Sequence, residues 1–365
     1  MANTYLFTGF PGFIATQLVR EIFYQGYPVD RIYLLHEGNM KQRAIEELEA
    51  LTENPIIHSD KLHLIEGDIT KDKLGIQSFL SKKMQQDVTH VFHLAAAYDL
   101  AVPLTTAWKI NVHGTRNVTD WLRGCNELER HVYFSTAYVS GSRENTIYET
   151  ELEHDQGFKN HYEYTKYEAE RIVNQTLNSI PSTIIRPGIV TGHSKTGETA
   201  KFDGAYFIMN MLHAARFMPV HPLIGKGDAT VNLVPVDYVV QATIQLAHHA
   251  AGEGQTYHLT DPTPYTAREI HQLILKALLN REPAFTLPLK YAETALSLPP
   301  VRRRVKFQKE ALAYFTCHCR HDSTQAQRDL AGTPIQCPDM ATVIPELVAY
   351  YKQHKHKQHK HVSIY

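Results

Sequence analysis

The sequence predicts an α/β fold, a doubly wound parallel sheet followed by a smaller, mixed C-terminal region. Three observations carry this. Short β-branched or aromatic runs alternate with helix-period runs up to about residue 190. The first run, Tyr5-Leu6-Phe7, enters a glycine turn that opens a helix, Thr8-Gly9-Phe10-Pro11-Gly12-Phe13-Ile14-Ala15. The alternation then stops after Gly192.

Taken in order, strands are expected at Thr4–Thr8, Arg31–Leu35, Leu62–Glu66, Val88–Leu94, His131–Ser135 and Thr183–Arg186. Helical patterns fall between them at Ile14–Tyr24, Met40–Thr52, Ile76–Met84, Ala107–Arg123 and Tyr162–Asn178. Pro55 and Gly67 punctuate the connections. With 43% hydrophobic and 21% charged residues among 365, a large core is possible and global disorder is excluded. The net charge of -1 gives no general attraction to nucleic acid or to anionic membrane. No apolar run approaches the roughly 20 residues of a membrane span. Met1 runs almost directly into the first strand, and no signal peptide is expected. Cys125, Cys317, Cys319 and Cys337 make no disulfide framework in so long a chain, and a cytoplasmic setting is expected.

The glycine turn is an anion site by construction. Gly9 permits the tight turn, Gly12 admits a pyrophosphate to backbone N–H groups, and small Ala15 lets helix and strand approach. The helix N-terminus adds about half a positive charge. The spacing is G-x-x-G-x-x-A rather than G-x-G-x-x-G. Residues Thr8 to Ile14 are therefore candidates for a dinucleotide, NAD(H) or NADP(H), in a Rossmann-type domain. That domain is expected over residues 1–192, with 230–260 returning to it. Residues 193–229 and 261–350 form the substrate-binding region, and 351–365 a basic His/Lys-rich tail.

Glu37 ends the second strand, where an acid commonly binds the ribose hydroxyls of NAD(H). Lys41 and Arg43 follow and would serve a 2′-phosphate instead; a solvated helix start is equally open. Asp68, with Ile69, follows the third strand and either meets the adenine amino group or makes a turn. Ala95 and Ala96 end the fourth strand, where small residues admit a flat ligand or a close helix contact. Asn111 sits within a helical pattern that does not favour it, either as a buried polar link or as an exposed residue.

The chemistry concentrates later. The fifth strand ends Ser135-Thr136-Ala137-Tyr138, and Tyr162 and Lys166 follow on one helix face, one turn apart. Hydride delivery to a carbonyl makes an oxyanion that needs a proton. A phenol has an ordinary pKa of about 10. A neighbouring ammonium lowers it toward working pH, where acid–base transfer is efficient. The Thr136 hydroxyl would hold the substrate oxygen. A second Y-x-x-x-K, Tyr351 to Lys355, lacks this context. Pro187, Gly188 and Ile189 follow the next strand and either turn against the nicotinamide or simply end the strand.

In this order the motifs resemble the extended short-chain dehydrogenase/reductases over about residues 3–260. Tyr33-Leu34-Leu35, Ser135-Thr136-Ala137-Tyr138-Val139 and Arg186 to Gly192 look most like the fatty acyl-CoA reductases and thioester-reductase domains. The resemblance implies that Tyr162 donates the proton, that Lys166 binds the nicotinamide ribose and tunes Tyr162, and that Thr136, with Ser135 as rival, is the catalytic hydroxyl. It implies that Asn111 matches a structural asparagine of the catalytic set. Glu37 stands where the subgroup commonly has arginine, which leaves NAD(H) and NADP(H) both open.

Beyond Gly192, Phe202–Phe217 and Thr266–Leu279 read as helices, Gln255–Leu259 as a strand, and Ala284–Leu298 as an apolar cap or plain core. Cys317-His318-Cys319-Arg320-His321 has C-x-C rather than paired C-x-x-C spacing, so no metal site is assigned. The tail from Lys352 to His361 is expected to be solvated. The function expected is NAD(P)H-dependent reduction of an apolar carbonyl or acyl thioester. The alternatives are a nucleotide-sugar epimerase or dehydratase, with Arg216 and Arg302–Arg304 meeting a diphosphate, and a dinucleotide-binding regulator without turnover. A small-molecule partner is expected, no nucleic acid, and a homodimer is admissible.

Overall fold

A computed structural model describes residues 2–316 and 318–362. Its centre is a seven-stranded sheet of β1 (Asn3–Thr8), β2 (Val29–His36), β3 (Leu62–Glu66), β4 (His90–His93), β5 (Arg130–Phe134), β6 (Ser182–Pro187) and β7 (Thr256–Leu259). The strands run parallel in the order β7-β6-β5-β4-β1-β2-β3. This is the doubly wound order, reversing between β1 and β4, and that switch point is where such sheets hold ligands. The strands are apolar on both faces; Tyr5, Leu6, Phe7, Val91 and Phe92 are fully buried.

The helices are α1 (Phe13–Tyr24), α2 (Lys41–Thr52), α3 (Ser78–Asp87), α4 (Leu104–Ala107), α5 (Gly114–Leu122), α6 (His161–Asn174) and α7 (Tyr206–Ala214). They continue with α8 (Val236–His248), α9 (Ala267–Leu279), α10 (Leu289–Ser297), α11 (Pro299–Val305), α12 (Thr324–Asp329) and α13 (Met340–His354). One cluster packs α1 and α8 against a sheet face through Leu18, Val19, Ile22, Val239 and Ile244. A second packs α3 and α5 on the opposite face through Met84, Val118 and Trp121. Residues of α7, α9 and α13 build a separate core around Phe202, Met209, Ile274 and Leu347.

Three expectations are corrected. The helix expected at Ala107–Arg123 contains a π-helical stretch, Trp108–His113, between α4 and α5. The helix expected at Phe202–Phe217 is only α7, because Phe202 bridges to His361 and Gly204 takes φ +53°. The tail is solvated over most of its length, but it is anchored to the body. Phe202 N–H donates to Lys360 O at 2.6 Å, and Lys360 Nζ donates to Thr199 O at 2.6 Å. Tyr351, of the second Y-x-x-x-K, is buried and donates to Asn210 Oδ1 at 2.9 Å. Cys317 lies outside the described residues; Cys319 starts a short strand, Cys319–His321, beside Asn145–Ile147.

Candidate active site

A cavity of about 810 Å³ opens at the C-terminal ends of β1, β4, β5 and β6. Its wall includes Gly9, Phe10, Pro11, Gly12, Phe13 and Ile14, then Ala95 and Ala96, and Pro187, Gly188 and Ile189. Thr136, Tyr162 and Lys166 share it. The sequence-predicted cofactor and catalytic residues therefore converge, apart from three.

The glycine turn is shaped by close contact. Gly9 has φ +86°, and a Cβ there would lie 2.8 Å from the Ala95 nitrogen. Gly12 is the N-cap of α1, and no side chain caps that helix or places an acid in its first turn. Its first N–H groups are thus left for an external acceptor, which fits a pyrophosphate. Glu37 and Arg43 both line the far wall, with Met40. Ile69 lines the cavity as well.

Thr8 does not line the wall. It is buried beneath it, where its hydroxyl pairs with His93 Nδ1 at 2.8 Å and accepts from Leu94 and Ala95 N–H at 3.2 Å. It fastens the ends of β1 and β4 together. Asp68 is likewise turned away: its Oδ1 accepts from Thr70 N–H at 2.9 Å and Thr70 Oγ1 at 2.7 Å. That is the turn reading, not the adenine one. Asn111 also falls outside the lining. Its amide accepts from Ala97 N–H at 2.8 Å and donates to Ala97 O at 3.1 Å and Thr165 Oγ1 at 2.9 Å. All its polar capacity ties the π-helical stretch to the loop after β4 and to α6, so it positions rather than reacts.

Helix α6 starts at the N-cap Asn160, whose side chain accepts from Glu163 N–H at 2.9 Å. Tyr162, Lys166 and Glu170 then follow at four-residue steps along one flank. Lys166 is buried, donates to Phe134 O at 2.5 Å, and lies 4.4 Å from the Tyr133 ring centre. Burial brings its ammonium down to about 7, opposed by the Glu170 carboxylate. The Tyr162 phenol is held above its ordinary value by burial, against a hydrogen bond with Thr136 that favours the phenolate. No lowering by Lys166 accompanies these effects; its ammonium instead meets Phe134 O and the Tyr133 ring.

Ser135 is distinguished from Thr136 by its partner. Its hydroxyl donates to Glu170 Oε2, while Thr136 Oγ1 accepts from Tyr138 N–H at 3.3 Å and meets Tyr162. Arg186 completes the buried group, reaching Glu170 Oε1 from Nη2 at 2.6 Å. This Ser135–Glu170–Arg186 set was missed in the sequence; the four-residue step from Lys166 to Glu170 was its signal.

The rest of the wall comes from segments without motifs. Leu100, Phe207, Phe307, Ala311 and Val362 form an apolar chamber continuous with Thr136, Tyr162 and Lys166. Arg216 and Arg302–Arg304, which a diphosphate would need, do not line the cavity. The Arg216 guanidinium instead covers the Phe217 ring at 4.3 Å.

Residues 7–243 match the family described as male sterility protein, an NAD-binding family. The chain belongs to that family. It is an extended short-chain dehydrogenase/reductase of the fatty acyl-CoA reductase and thioester-reductase subgroup, with NAD(H) or NADP(H) as its cofactor. The fatty acyl-CoA reductase wat of Drosophila melanogaster is 26% identical over 274 residues, 66% of this chain and 53% of that protein. The alcohol-forming fatty acyl-CoA reductase of Simmondsia chinensis is 26% identical over 332 residues, 70% of this chain and 66% of that one. The terminal R domain of the myxalamid PKS-NRPS pathway superposes with TM-score 0.81 at 25% identity, covering 98% of this chain and 92% of that domain. A UDP-glucose 4-epimerase of Thermotoga maritima, at 17% identity and TM-score 0.66, shares the fold. The chain spans between 50% and 58% of the length of the Drosophila relatives it matches. Among the described residues, no helix is long and apolar enough to cross a membrane, and no group of three or more His, Cys, Asp or Glu is placed to hold a metal ion.

Proposed function

We propose that this chain reduces the carbonyl of an apolar acyl substrate, a thioester first, with Tyr162 as proton donor. One observation carries the reading: a single cavity joins the uncapped glycine turn, the Thr136–Tyr162–Lys166 group and an apolar chamber. The bound nicotinamide supplies the hydride to the carbonyl carbon. Thr136 holds the carbonyl oxygen beside the phenol, and Tyr162 gives its proton to that oxygen as charge develops. Lys166 stands one helical turn on, and in its protonated form, below about pH 7, it is the cation nearest along the helix to the resulting phenolate. Its position there also suits it to the ribose of the dinucleotide. With a thioester, the tetrahedral product is a hemithioacetal; loss of the thiol gives an aldehyde. The backbone from Gly9 to Ile14 holds the pyrophosphate, and the chamber excludes water from the acyl chain. The oxidation of NADH and of NADPH, followed against acyl thioesters, aldehydes, ketones and nucleotide sugars, tests this. The reading expects turnover with thioesters or apolar aldehydes. Turnover confined to nucleotide sugars, or tight cofactor binding without any turnover, overturns it.

A further inference from the structure

Between the catalytic group and the apolar chamber the wall turns polar at one place. The segment Thr199 to Gly204 faces the loop after β4 there, and Lys201 Nζ lies 5.0 Å from the Tyr98 ring centre. Asp99 is occupied: its Oδ1 accepts from Ala101 N–H at 2.9 Å and Gln308 Nε2 at 3.1 Å. Asp203 is not. It lines the cavity, and among the described residues its carboxylate accepts only from its own backbone N–H. It does not cap α7, which has no side-chain cap. The next residue, Gly204, abuts Ile189, where a Cβ would fall 2.8 Å from Ile189 Cγ2. Asp203 therefore precedes the contact with Ile189 by one residue, and it lines the same cavity as Thr136 and Tyr162. Burial and Asp99 raise its carboxyl to about 6 against the pull of Lys201. The half-buried Asp203 carboxylate thus has acceptor capacity left for a donor on a ligand in the cavity.

We propose that Asp203 is a specificity determinant that accepts a hydrogen bond from an N–H or O–H donor on the substrate held in this cavity. This rests on the acyl-reductase reading and narrows it to donor-bearing acyl compounds. Two parts of a thioester can carry that donor: the acyl chain, as an amine, amide or hydroxyl, or the carrier arm, as an amide.

Equilibrium binding of inert thioethers tests the proposal without requiring turnover. Decyl ethyl sulfide has no donor. S-decyl-N-acetylcysteamine has one on the arm side, and 2-aminodecyl ethyl sulfide has one on the chain side. Each is titrated calorimetrically into wild-type protein and into the Asp203→Leu and Asp203→Asn variants. One donor-bearing ligand is expected to bind wild type about 10- to 100-fold more tightly than the plain sulfide. Which one does so names the source of the donor. Asp203→Leu erases that margin and leaves plain-sulfide affinity equal or better. Asp203→Asn keeps the shape without the charge, and cuts the margin at least about threefold even if the leucine variant does not fold. Equal affinities for all three ligands in wild type, or a margin that survives both substitutions, overturns the proposal and leaves the acyl chamber standing. Failure of all three to bind removes the chamber and the proposal together.

Discussion

Lys166 shows what burial does to an ionisable group. Its ammonium is almost fully enclosed, and its ordinary value of 10.5 falls to about 7. Below about pH 7 the side chain is charged in both folded and unfolded chains, so the native state bears the whole desolvation cost. Between about 7 and 10.5 the native state has released the proton and the unfolded chain keeps it. The unfolded state then binds more protons, and stability rises with pH by up to about 1.4 kcal/mol per unit. Urea unfolding at pH 6.5 and 8.5, compared between wild type and Lys166→Met, checks this. The stability of wild type is expected to rise relative to the variant by about 1–2 kcal/mol over that interval. An unchanged difference would mean that the ammonium keeps its proton, stabilised by Phe134 O, the Tyr133 ring and Glu170.

The elements that aim these side chains are joined by buried polar links rather than by packing alone. Asn111 is the joint between the π-helical stretch, the loop after β4 and α6. Asn111→Ala leaves Ala97 N–H and O and the Thr165 hydroxyl short of a partner. The variant is expected to lose about 1–3 kcal/mol of stability and to lower kcat more than it weakens cofactor binding. Thermal unfolding and cofactor titration measure the two effects. A variant with wild-type kcat would reduce Asn111 to a purely structural link. These elements also mark how far the sequence could be read. Periodicity located the strands, because each is apolar on both faces and bounded by turn residues. It could not tell Thr8 or Asp68 from ligand-binding residues, since a hydroxyl or carboxylate at a strand end serves a turn or a ligand equally. Nor could it see Glu170 meet Arg186, a contact between α6 and β6. The apolar chamber was beyond reach, because Leu100, Phe207, Phe307 and Val362 come together only in the folded chain.

At the scale of the molecule, two cores enclose one cavity, and the end of the chain helps to close it. Val362 lines the chamber, while Lys360 is fixed to Phe202 through its carbonyl and to Thr199 O through its ammonium. A chain ending at residue 357 loses this wall without touching the glycine turn. Its KM for a long acyl substrate is expected to rise about tenfold, with little change for a short one and none in cofactor affinity. Steady-state kinetics over a chain-length series measures this; equal changes at every length would mean that the tail serves general stability.

The most direct test of the central claim is single-turnover oxidation of bound reduced cofactor by an acyl thioester, in wild type and in Tyr162→Phe. The account predicts equal cofactor affinity in the two proteins and a hydride-transfer rate about 100- to 10,000-fold lower in the variant. A Tyr162→Phe protein that transfers hydride at the wild-type rate would contradict it.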